Sequence, residues 1–108
     1  MNHIVTRKSN SDQSGRPFNT SMIEAVWRKG QAVPGYDQNV YRKDFCGAWM
    51  KRDEHGSISS QYGWEIDHIR PISKGGSDDL SNLQPLHWKN NRHKGDDYPN
   101  WSCAVNSA

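Results

Sequence analysis

Apolar residues in this chain fall in short clusters between polar stretches, and the spacing within each cluster predicts a different element. Residues 1 to about 18 carry Ser, Asn, Gly and Pro without a hydrophobic period and are expected to form a flexible arm. A helix is expected from Thr20 or Ser21. Met22, Ile23, Val26 and Trp27 supply its apolar stripe, Ser21 and Glu24 have the spacing of a capping box, and Gly30 offers a stop. The segment AVPGYDQN holds a Pro-Gly turn signal, after which FCGAWMKRDEHGS reads as a short strand or hairpin arm ending in a glycine turn.

From Trp64 to Ile69 the pattern alternates. Trp64, Ile66 and His68 fall on one face of the predicted strand, with Glu65, Asp67 and Ile69 on the other, and Pro71 limits its continuation. Lys74 to Ser81 is a loop built on Gly75 and Gly76. Asn82 to Leu86 is a second extended piece with Pro85 near its end, and Trp88 to Lys94 suits a helix that Gly95 terminates. Strand, loop, strand and helix, preceded by a helix and a hairpin, make an α+β fold in a single small domain. Tyr98 to Ala108 is a polar tail with Trp101 as its anchor.

The composition narrows what such a domain can be. Its 108 residues, 32% hydrophobic, suffice for one modest core and not for separate catalytic and recognition domains. No apolar run approaches the roughly 20 residues of a membrane span, and MNHIVTRKSN lacks the apolar segment of a secretory signal, so a cytoplasmic protein without membrane contact is expected. Cys46 and Cys103 are too few for a disulfide scaffold and are read as reduced thiols, with a pairing between them left open. The net charge of +2, from 14 basic and 12 acidic residues, is too weak to hold nucleic acid by charge alone. Its distribution says more: Lys89, Arg92 and Lys94, interleaved with His87 and His93, gather in the last predicted helix.

Residues 64 to 96 also concentrate acid, imidazole and amide groups. Cleaving a phosphodiester requires a nucleophilic water, a base for its proton, and positive charge on the phosphorane and leaving oxygen. Asp67 and Asn91 offer oxygen donors suited to Mg²⁺ or Mn²⁺, and His68 carries the side chain that ordinarily titrates nearest neutrality. Neighbours in a regular strand point to opposite faces, so Asp67 and His68 can share a site only if the strand twists or ends there.

Asp67-His68-Ile69, the Pro71-x-x-x-Gly75-Gly76 loop, Asn82-Leu83-Gln84 and Asn91-Arg92-x-Lys94 stand in an order and spacing that resembles the HNH endonucleases, also called His-Me or ββα-metal finger nucleases. The resemblance implies a ββα-metal finger at about residues 62–96, within a nuclease domain spanning 19–97 and flanked by the arm 1–18 and the tail 98–108. It implies metal-dependent cleavage or nicking of DNA, with His68 as general base, Asp67 and Asn91 as ligands of one divalent cation, and Asn82 holding the loop and the imidazole in place. Asn91 stands where the family name has its last His, a variant also found among active members. The stretch from Trp27 through Cys46-Gly47-Ala48-Trp49 to Gly63-Trp64 is similar to the upstream region of small bacterial HNH proteins.

Arg92 and Lys94 read either as helix-end cations or as contacts to substrate phosphate, with Arg70 and Lys74 as further phosphate candidates. Asn82 reads equally as a turn residue. DNA, held mostly through its backbone, is the expected partner of a monomer or homodimer. Many HNH proteins brace the finger with a Cys-x-x-Cys zinc ribbon, but here those places read Cys46-Gly-Ala-Trp49 and His87-Trp-Lys-Asn90, so structural zinc is not expected and tryptophan packing is expected in its stead. The alternative to an enzyme is a catalytically silent HNH-fold module that binds nucleic acid within a larger assembly.

Overall fold

The computed structural model describes residues 8–107. Helix α1 runs over Thr20–Trp27. Its cap is Asn19, whose side chain accepts the Met22 N–H at 2.8 Å, so the expected Ser21–Glu24 box gives way to an amide two residues earlier. The Arg42 guanidinium closes the other end by donating to the carbonyls of Arg28 and Gly30. Strands β1 (Tyr41–Lys43) and β2 (Trp49–Lys51) form an antiparallel hairpin with Arg42 opposite Met50. Strands β3 (Trp64–His68) and β4 (Leu83–His87) form a second, and helix α2 (Trp88–Lys94) leaves β4 without a linker. Gly95 ends α2 with a φ of 55°, as its position predicts.

All five residues of β3 are buried, because the strand is covered on both faces. Trp64 and Ile66 join Val26, Trp27, Met50 and Leu83 in the apolar core, with the Trp27 and Trp64 rings 5.3 Å apart. Glu65 and Asp67 turn the other way, onto α2. One face of the finger is therefore an apolar core and the other a buried polar layer. Lys29 ties α1 to the finger through the carbonyls of Leu80 and Leu83.

Two expectations are corrected. Cys46 and Cys103, read as reduced thiols, form a disulfide, because the tail returns to the β1–β2 turn and brings the two Cα atoms to 5.9 Å. The tail is held as well as tied: Asn90 accepts the Ala104 and Val105 N–H groups and donates to the Val105 carbonyl, and Ser107 accepts the Trp49 N–H. The arm expected over residues 1–18 falls partly outside the described residues. Its described part is anchored, with Asn10 Oδ1 accepting the Ile66 N–H at 2.8 Å and lying 2.9 Å from His55 Nε2. Hydrogen bonds do there what a hydrophobic period does elsewhere.

The two places of the ribbon ligands are joined by Asp44, 1% exposed. Its Oδ1 accepts the N–H groups of Cys46 and Ala48, and its Oδ2 accepts the His87 N–H and the Asn90 amide, all between 2.8 and 3.0 Å. His87 itself caps α2, its Nδ1 accepting the Lys89 N–H.

Candidate active site

The loop between β3 and β4 is shaped by two glycines and one asparagine. Gly75 adopts a φ of 86°, and a Cβ on Gly76 would lie 1.7 Å from the Arg70 carbonyl, so side chains are excluded at this crossing. Asn82 stitches the loop shut. Its amide donates to the carbonyls of Arg70 at 3.0 Å and Ser77 at 2.8 Å, while its Oδ1 accepts the Arg70 N–H at 2.9 Å. These bonds all go to the loop, and the imidazole of His68 is held by another residue.

That residue is Asp78, at the end of the glycine loop. His68 Nε2 lies 2.8 Å from Asp78 Oδ1, and the Phe18 ring packs beside the imidazole at 6.0 Å. Asp78 in turn accepts the Gln13 N–H on both oxygens at 3.1 Å. His68 opens onto a cavity of about 300 Å³ walled by Lys8, Asn10 and Gln13 on one side and by Ile66, Ile72 and Asp96 on the other.

Asp67 lies across the strand from this cavity. Its Oδ1 faces the Lys94 ammonium at 3.2 Å and its Oδ2 accepts from Gln84 at 2.9 Å. Asn91, three residues before Lys94 on the same face of α2, donates to Glu65 Oε1 at 3.0 Å. Arg92 pairs with both oxygens of Glu65, which holds its guanidinium above the ordinary value through that hydrogen bond. Arg70 folds back so that its Nε donates to the Lys74 carbonyl, and both side chains remain exposed at the loop.

Residues 51–97 match the HNH endonuclease family. The matched segment is an HNH-like stretch of the chain. No curated protein and no solved structure matches it. The match begins at Lys51, the last residue of the first hairpin, takes in both strands of the finger, its loop and α2, and ends just past Gly95.

Within the matched residues the expected side chains divide into two groups that β3 separates. His68, held by Asp78, lines the cavity, while Asp67, Asn91 and Lys94 lie in the polar layer beneath α2. As placed, the second group does not fit a divalent ion. Asp67 is 1% exposed, its carboxylate is already opposed by a cation, and the Asn91 amide is engaged by Glu65. Among the described residues no three His, Cys, Asp or Glu side chains converge on a metal position. Lys94, expected to reach substrate phosphate, is instead 1% exposed and bridges Asp67 and the His68 carbonyl, because a lysine at this helix position points inward. Arg92 keeps 48% of its side chain exposed despite its ion pair and remains at the surface. Asp78, Asp44 and Asn10 escape sequence reasoning, since no periodicity marks them. The one local sign for Asp78 is an acid placed directly after the Gly-Gly-Ser turn.

Proposed function

We propose that this domain hydrolyses phosphodiester bonds of DNA, by nicking or by cutting both strands, with His68 as general base. What supports the reading above all is an imidazole held by a carboxylate on the wall of a cavity, in a segment that matches the HNH endonuclease family. In the proposed step His68 takes the proton of a water positioned in the cavity, that water forms a new bond to phosphorus in line as the bond to the departing oxygen breaks, and the departing oxygen takes a proton from solvent. In this reading Lys8 on the cavity wall and the exposed loop cations Arg70 and Lys74 neutralise a backbone phosphate, and Arg92 adds exposed charge on α2. These contacts go to phosphate, so sequence preference is weak and affinity falls with salt. Dependence on Mg²⁺ or Mn²⁺ is part of the proposal by family resemblance. No step is assigned to the ion, because Lys94 already opposes Asp67.

The buried Asp67–Lys94 pair favours a second reading, in which the domain keeps the fold and binds nucleic acid without cutting it. Relaxation of supercoiled plasmid with Mg²⁺ or Mn²⁺ against EDTA separates the two, with His68→Ala as control. The nuclease reading expects metal-dependent nicking that His68→Ala cuts to a small residual rate while DNA binding persists. Retained DNA binding without nicking under any cation would select the silent module, and a His68→Ala variant that nicks at the parental rate would remove His68 as the base.

A further inference from the structure

We propose that Asp78 is the positioning residue of this site: its carboxylate keeps the His68 proton on Nε2, so that the lone pair of Nδ1 faces the cavity. The inference rests on the nuclease reading and adds to it a residue, a tautomer and a second segment of chain.

The geometry carries each part. A carboxylate only accepts, so the 2.8 Å contact to His68 Nε2 requires a proton on that nitrogen, and a neutral imidazole then keeps its free lone pair on Nδ1. Among the described residues nothing hydrogen-bonds to Nδ1. Among those residues no buried side-chain nitrogen or oxygen lacks a partner, so Nδ1 is not enclosed, and His68 lines the cavity. Asp78 is itself oriented from two directions. The Gln13 N–H reaches both of its oxygens, and Asn82 fixes the carbonyl of the preceding Ser77 at 2.8 Å. The imidazole is thus backed by a carboxylate that a backbone donor backs in turn, the arrangement that sets both tautomer and ring angle of a general base. Gln13 lies outside the matched residues 51–97, so the clamp on the base is completed by a segment the family match does not reach.

The test uses the full chain with Asp78→Ala, His68→Ala and the double variant, comparing nicking kinetics, DNA affinity and the ring N–H signals of ¹⁵N-labelled histidine. Asp78→Ala should lower kcat about a hundredfold with KM and DNA affinity changed by no more than about twofold. In the His68→Ala background it should change residual nicking no further, since a positioning residue acts only through the base it positions. The parent spectrum should place the His68 proton on Nε2 in slow exchange with water, and Asp78→Ala should lose that signal. Asp78→Asn preserves side-chain size and guards against a loop that fails to close. It should keep the melting temperature and still lower kcat. Equal losses in both backgrounds, an unchanged kcat in Asp78→Ala, or a His68 proton on Nδ1 would overturn the proposal alone. A parent chain that cuts no DNA would overturn the nuclease reading, and this inference with it.

Discussion

Breaking the Cys46–Cys103 bond should remove a large share of the stability of this domain. The two cysteines are 57 positions apart, and closing a loop of that length withdraws conformational entropy from the unfolded chain worth about 4 kcal/mol at 25 °C. Domains of this size are stable by only about 5–15 kcal/mol, so that loss is felt. With an m-value of about 1–3 kcal/mol per molar urea, reduction should lower the unfolding midpoint by at least about 1 M. Urea titrations followed by tryptophan fluorescence, with and without dithiothreitol, measure the shift. Cys103→Ser should match the reduced parent and be indifferent to the reductant. The bond acts on the unfolded chain, whereas Asn90 still holds the Ala104 and Val105 amides in the folded one, so the reduced native state should keep its tail docked. A midpoint that moves by less than about 0.3 M, or two thiols titrating in the air-oxidised native protein, would refute the reasoning.

Lys94→Ala leaves the enclosed Asp67 carboxylate without its cation and should cost roughly 3–5 kcal/mol, measured by the same titration; a cost below about 1 kcal/mol would mean that Asp67 is not held as described. Burial pushes the His55 imidazole below its ordinary 6.5, so the unfolded chain takes up a proton that the folded one refuses. Its contribution to stability is fully present above that value and is lost as pH falls toward the depressed one. Thermal melts from pH 8 to about 5 should therefore steepen for the parent relative to His55→Gln, whose amide can still donate to Asn10. Elemental analysis after mild chelation should find no stoichiometric zinc, because the ribbon places are taken up by the disulfide and by bonds to Asp44.

The finger was legible because its signals are local. Alternation from Trp64, the glycine pair, and the run from Trp88 to Gly95 each report on a few neighbouring residues, and α2 is observed with the bounds its pattern predicts. Boundaries slipped by one residue where two elements meet, as at Leu83–His87, since His87 serves both as the end of β4 and as the cap of α2. Long-range partners were not legible. Nothing near Cys46 announces Cys103, and nothing near His68 announces Asp78, because both depend on how far a loop folds back. Alternation also placed Asp67 and His68 on opposite faces, and the strand ends at His68 without reuniting them. The inward turn of Lys94 depends on the polar layer that Glu65 and Asp67 create across the helix, which composition reads only as surface charge.

Asp44 is a zinc knuckle with its polarity reversed. Where a metal ribbon gathers anionic sulfurs around a cation, this chain gathers four N–H donors around an anion, joining the hairpin turn to the first turn of α2. The centre of such a knot is encoded in the gene and needs nothing captured from outside. Its geometry is set as the backbone folds, it competes with no other protein for a scarce ion, and a chelator has nothing to remove. The cost is adaptability: a metal accepts several ligand sets, but a single carboxylate with every lone-pair direction spoken for tolerates no neighbour that fails to present its N–H.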